Sequence, residues 1–238
     1  MRPEIGDVLT RMLPVAALTL LVLSAFAFWP AYLSDVRSAS GSIHAHAAFG
    51  AGWLVLLILQ PVLIRGRLHR WHRCVGRVGL GVGVAFLVSS VFVAHRSVAV
   101  MSAEQFAGEG RFVYLPLAMA VLFGSALALA VHWRHVPALH GRFMAATSLA
   151  LLDPLFGRLL FHYGPPLPAP EWHQVPAFLT VLGVFLAMAG SLPAGVRGQR
   201  VMWCYFVFAA LLLAGFFVVP STAIWLTFVD WFVHVYAV

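Results

Sequence analysis

The amino-acid sequence predicts an all-helical protein that crosses a membrane several times. Of its 238 residues, 62% are apolar and only 10% are charged, a balance that soluble domains of this size do not have. The apolar residues fall into seven segments, and a bilayer-spanning helix needs about 20 such residues. The basic residues collect at one end of these segments. We therefore expect one integral-membrane domain, residues 1–238, folded as a bundle of seven transmembrane helices.

The predicted spans are separated by short connections. They cover residues 12–33, 44–64, 74–94, 112–131, 140–161, 175–192 and 201–219. The first span has the length of a signal peptide, but Glu4 and Asp7 precede it and its apolar run is long, so we expect an uncleaved helix. The tail from residue 221 is expected to form a short helix at the outer interface, anchored by Trp225 and Trp231. An eighth crossing is the alternative.

The arginines indicate the orientation in the membrane. All 15 basic residues are arginine, and cytoplasmic loops of membrane proteins carry an excess of such residues. We therefore expect a multi-pass protein of the bacterial inner membrane with a cytoplasmic N-terminus, and we attribute the net charge of +7 to topology rather than to nucleic-acid binding. Cys74 and Cys204 fall on the same inner side. The inner arginines are Arg2, Arg11, Arg65, Arg67, Arg70, Arg73, Arg77, Arg134, Arg142, Arg197 and Arg200, and the outer ones are Arg37, Arg96 and Arg111.

A polar stripe is predicted on the second span. His46, Trp53 and Gln60 follow one another at intervals of seven residues, which places them on one face of a helix. A lone amide within the bilayer is costly unless it is hydrogen-bonded. We therefore expect this face to lie against neighbouring helices.

The fifth span carries a second set of polar residues. His140 and Arg158 are 18 residues apart, about five helical turns, so in a continuous helix they share a face with His162 nearby. Because a cation is costly in the bilayer, Arg158 is expected to lie in the interior. Asp153 lies about 140° away around the helix and precedes Pro154, which frees a carbonyl and is expected to bend the helix.

Glycines open the third span. Gly76, Gly79, Gly81 and Gly83 are spaced closely, and small residues allow helices in a bilayer to approach one another. They predict a tight helix crossing. A nucleotide-binding loop is excluded because no strand precedes them and no Lys-Ser/Thr pair follows.

Two short signatures suggest an internal repeat of the second and third spans in the fourth and fifth. The third span opens with HRCVG from residue 72, and the fifth opens with HGRFM from residue 140. A wider pattern resembles a large group of bacterial integral-membrane proteins catalogued as a domain of unknown function. It comprises His46, Trp53, Gln60, His72, Arg73, Gly76, His140, Arg142, Met144 and Arg158, with a similar tail, PSTAIWLTFVDWF. The resemblance implies a seven-helix bundle with shared polar positions, and it supplies no activity.

The 11 histidines suggest haem as one cofactor. A b-type haem between helices needs two neutral imidazoles at equal depth and cations for its propionates. Two haems stacked across the bilayer would resemble, in outline, the two-haem transmembrane cytochromes b, although in those the ligands lie within the helices. The candidate residues are His72, His140, Arg73 and Arg142 at the inner level, and His46, His95, His162 and Arg158 at the outer level.

A metal-dependent membrane enzyme is the second hypothesis. His46, His95 and His162 would supply three nitrogen ligands and leave an open position for water, as catalytic zinc or another divalent metal requires. No HExxH motif and no nearby carboxylate supports it. The hypothesis that we favour is non-catalytic: a transporter, or an accessory subunit or scaffold that binds other membrane subunits or itself, with a His- and Arg-lined interior.

Overall fold

The computed structural model describes residues 5–192 and 198–234, which form α-helices joined by short turns and contain no β-strand. The predicted all-helical class is confirmed. The helices are α1 (Ile5–Ala27), α2 (Gly41–Arg65), α3 (His69–Ala99), α4 (Ala103–Glu109), α5 (Tyr114–His132), α6 (Pro137–Leu149), α7 (Leu152–Tyr163), α8 (Val175–Gly190), α9 (Gln199–Gly215) and α10 (Ala223–His234).

Five helical segments within the described residues are long and apolar enough to cross a membrane. Three shorter apolar helical segments accompany them: Arg11–Ala27, Gln199–Gly215 and Ala223–His234. This is the pattern of an integral-membrane protein. The long segments are Gly41–Arg65, His69–Ala99, Gly110–His132, Pro137–Tyr163 and Glu171–Gly190.

The predicted fifth span is not one continuous helix. α6 ends at Leu149 and α7 begins at Leu152, because the ring nitrogen of Pro154 cannot donate to the carbonyl of Ala150. The helix is interrupted just before the proline at which the sequence predicts a bend. The expectation that His140 and Arg158 share a face assumes a continuous helix, and it stays a prediction.

The glycines of α3 pack against α2. A Cβ atom at Gly83 would lie 2.7 Å from the Trp53 ring, and one at Gly79 would lie 3.3 Å from the Leu56 side chain. Gly81 faces open space. The predicted tight crossing is thus confirmed for Gly79 and Gly83, which let two antiparallel helices meet closely. The short turn 66–68 joins them at the arginine-rich end, termed the basic end; the other end is termed the opposite end.

The C-terminal helix α10 packs on the protein at the opposite end. The Trp225 ring lies 5.3 Å from that of Tyr114, and the Phe232 ring lies 5.2 Å from that of His95. Trp231 is exposed. The expected short helix is confirmed, but Trp225 is buried against α5 rather than exposed as an anchor, since its large ring fills the space beside Tyr114.

Candidate functional site

The polar stripe on α2 bonds to different neighbouring helices. Midway along the helix, Trp53 is buried and its Nε1–H donates to Thr147 Oγ1 of α6 at 3.0 Å. Towards the opposite end, His46 Nδ1 lies 3.1 Å from Ser89 Oγ of α3. The stripe therefore faces inward at both levels, as its heptad spacing predicts. These bonds also supply the partners that polar groups need in hydrocarbon.

Gln60 joins α2 to the first turns of α3 at the basic end. In the amide orientation that pairs both of its ends, its NH2 group donates to His72 Nδ1 and to the His72 carbonyl, and its oxygen accepts from the N–H of Gly76 at 3.0 Å. An imidazole whose Nδ1 accepts a hydrogen bond carries its proton on Nε2 when neutral. His72 is therefore set as a donor at Nε2.

His140 has the complementary arrangement. Its Nδ1 lies 2.9 Å from the carbonyl oxygen of Ala130, which can only accept, so Nδ1 holds the proton and Nε2 is left as an acceptor. His72 and His140 lie close enough to interact electrostatically. Ligation of one iron by two imidazoles requires an unprotonated Nε2 on each ring, and only His140 meets that condition here. The two rings therefore present unlike nitrogens, a donor on His72 and an acceptor on His140.

The arginines proposed for haem propionates have other roles. Arg142 is only 1% exposed, and it donates to the Met188 carbonyl at 3.2 Å, the Ala138 carbonyl at 2.8 Å and Ser191 Oγ at 3.0 Å. The bonds to Met188 and Ser191 fasten α6 to the end of α8, the bond to Ala138 lies within α6, and together they engage all three guanidinium nitrogens. Arg73 is exposed on α3.

Among the described residues, Asp153 is the acidic residue that is buried, with 2% of its surface exposed. Its Oδ1 accepts no hydrogen bond. Gly157 follows one turn later on the same face of α7, and a Cβ atom there would lie 2.6 Å from Gln174 Oε1, which also has no hydrogen-bond partner. Gln174 therefore packs against α7 one helical turn after Asp153. Trp225 Nε1 is the remaining buried side-chain atom without a partner among the described residues.

Arg158 lies against α1. Its residue surface is partly exposed, but its guanidinium lies among protein atoms near Asp153. The guanidinium is 4.7 Å from the centre of the Phe28 ring of α1, and its Nη1 donates to the Pro154 carbonyl at 3.0 Å. It remains within electrostatic range of Asp153 and of His46. These three residues and Gln174 are termed the Asp153 site.

The structure does not bring His46, His95 and His162 together. His95 packs on Phe232 of α10, and His162 is exposed near the end of α7. Within residues 5–192 and 198–234, no three His, Cys, Asp or Glu side chains are grouped so that they could hold a metal ion. The predicted three-histidine site is therefore not assembled among the described residues, since His46 bonds to α3, His95 packs on α10 and His162 is exposed.

No family model matches the chain, and neither does any curated protein or solved structure. The resemblance to a group of bacterial membrane proteins therefore stays a prediction. Gln174 was not indicated by the sequence. It ends the proline-rich segment before α8 and comes beside Gly157 of α7 only through the fold.

Proposed function

We propose that the protein is a non-catalytic membrane transport protein in which the Asp153 site binds and releases a proton. The observation that carries this proposal is the burial of Asp153 with its Oδ1 lacking a hydrogen-bond partner. An unpaired carboxylate is costly in such surroundings, and ionisable groups inside membrane proteins commonly mark proton or ion pathways. A single proton on Asp153 would remove the charge and supply a donor for a nearby oxygen such as that of Gln174.

A second proton-exchange position supports the same proposal. His72 and His140 at the basic end carry a donor and an acceptor nitrogen, so a proton that reaches this end can be accepted at Nε2 of His140. His46 and Gln60 mark the levels of the two positions on α2, and their 14-residue separation corresponds to about 21 Å of helix. The Trp53–Thr147 contact lies between them, and a proton that moves from one position to the other has to pass this level of the bundle.

The proposed orientation follows the arginines. We place the N-terminus in the cytoplasm of a bacterial cell, with seven crossings that count α1 and α9, and we place α10 at the outer face. The basic end is then cytoplasmic, which agrees with the excess of inner arginines. Arg2 and Arg197, which contribute to that excess, lie outside the described residues. We retain the internal repeat as part of the proposal, on the two His-Arg signatures at residues 72 and 140.

Proton flux into proteoliposomes tests the proposed function. Purified protein is reconstituted with a trapped pH-sensitive dye, and a potassium gradient with valinomycin supplies the driving potential. We expect flux above that of empty vesicles, and we expect Asp153→Asn to abolish it. Asp230→Asn is the matched control, because Asp230 is an exposed acid on α10, and it should leave the flux unchanged. Equal flux in protein-containing and empty vesicles, or full activity of Asp153→Asn, would overturn the proposal.

Haem binding is the second candidate function. The hydrogen bond from His140 Nδ1 to a carbonyl is the one that metal-bound histidines usually make. The visible spectrum of the purified protein separates the candidates. A Soret band that His140→Ala removes would favour electron transfer, whereas colourless protein with stoichiometric zinc would favour a metal enzyme. We expect colourless, metal-free protein.

A further inference from the structure

We infer that the first two turns of α3 form a binding site for the phosphate headgroup and upper acyl chain of an anionic phospholipid. The site is termed the α3 basic face and consists of Arg70, Trp71, Arg73, Cys74, Arg77 and Val78. These residues recur at intervals of three, four and seven, so they share one side of the helix. All six are exposed. The inference is independent of the Asp153 site, which lies on a different helix.

Among residues 5–192 and 198–234, no ion pair neutralises the charge of this region. Five arginines between positions 65 and 77 are exposed, and no Asp or Glu occurs between Asp35 and Glu104. The ion pairs found among the described residues, Arg111–Glu171 and His234–Asp230, involve none of them. A group of unpaired arginines at a membrane boundary attracts anionic headgroups, and their planar N–H groups suit phosphate oxygens.

The shape of the surface adds an apolar component beside the charge. Arg70, Trp71 and Cys74 line a surface cavity of about 280 Å³. Val78 follows Trp71 by two turns, and the two side chains are 66% and 59% exposed. Gly81 continues the track, and a Cβ atom there would meet nothing within 4 Å. The headgroup thus meets arginine and the acyl chain meets an open apolar track, a combination that a free anion cannot use.

Lipid binding to the full-length protein tests this inference by native mass spectrometry in detergent. We expect phosphatidylglycerol to bind more tightly than phosphatidylcholine. Replacing Arg70, Arg73 and Arg77 with Gln should weaken phosphatidylglycerol binding roughly a hundredfold, because each basic residue near an anionic surface contributes about a fivefold factor. The matched control removes three exposed arginines elsewhere: Arg96→Gln, Arg134→Gln and Arg200→Gln. It should leave the affinity nearly unchanged.

A second measurement follows the two cysteines. Both are free and exposed, and Cys74 lies on the α3 basic face whereas Cys204 lies on α9. Phosphatidylglycerol should slow alkylation of Cys74 and leave that of Cys204 unchanged, and inorganic phosphate should protect neither. Equal loss of binding in the two triple variants, equal binding of the two lipids, or protection of Cys74 by phosphate alone would overturn the inference.

Discussion

Arg142 and Asp153 are both buried and ionisable, and they differ in what surrounds them. Arg142 donates to two carbonyls and a hydroxyl, so its burial is explained by the contacts that join α6 to α8. Asp153 has an oxygen with no partner in a bundle whose other interior polar groups are mostly bonded. The first is therefore assigned to stability and the second to function.

Arg142→Met is expected to lower stability by about 3 kcal/mol, because it removes three hydrogen bonds from the interior, two of which join α6 to the end of α8. The measurement is thermal unfolding of the purified protein in detergent. Arg134→Met is the matched control, because Arg134 is exposed and makes a single long contact of 3.4 Å. Similar melting temperatures for the two variants would show that the Arg142 contacts contribute little.

Arg158→Leu is expected to impair transport more than Arg200→Leu. The sequence predicts this difference between the two variants from the expected burial of Arg158, and the structure adds a second reason. Arg158 stacks on Phe28 and lies within electrostatic range of Asp153, so its loss alters the charge next to the proposed proton site. Arg200 is exposed at the start of α9. The dye assay compares both variants, and equal tolerance would remove Arg158 from the site.

At the scale of elements, the contact between α2 and α3 depends on where glycine faces the partner helix. Gly79 and Gly83 face α2, whereas Gly81 faces open space. Helical periodicity alone explains the difference, since Gly79 and Gly83 are separated by four residues and share a face. A run of glycines therefore contains both packing residues and neutral ones.

Gly83→Ala is expected to destabilise the protein by about 1–3 kcal/mol, because the new Cβ atom would overlap the Trp53 ring and displace a side chain bonded to Thr147. Gly81→Ala on the same helix should be neutral or slightly stabilising, since alanine is the better helix former. Thermal unfolding of both variants gives the comparison. A loss of stability in Gly81→Ala as large as that in Gly83→Ala would contradict the assigned contact.

At the scale of the whole molecule, the proposed topology predicts that both cysteines open to the cytoplasm. Cys74 and Cys204 lie near the starts of α3 and α9, and both are exposed. A membrane-impermeant maleimide should label both in inverted vesicles and neither in right-side-out vesicles. Labelling from opposite sides would mean an odd number of crossings between Cys74 and Cys204, whereas the seven-span arrangement has an even number, so that result would overturn it.

The sequence by itself determined the class of protein and much of the α2 stripe. Apolar length fixes which segments can cross a bilayer, because backbone groups in hydrocarbon must be bonded within the helix. The heptad spacing of His46, Trp53 and Gln60 likewise fixes which face turns inward. These are local properties, and a helix carries them wherever it packs.

Only the tertiary structure decided which groups meet. Trp53 bonds to Thr147, 94 positions along the chain, and Gln174 comes beside Gly157. His46 bonds to Ser89 of α3, whereas His95 packs on Phe232 of α10. Arg158 meets Phe28 of α1. Contacts of this kind depend on how helices are rotated and tilted against one another, and side-chain spacing within one helix does not contain that information.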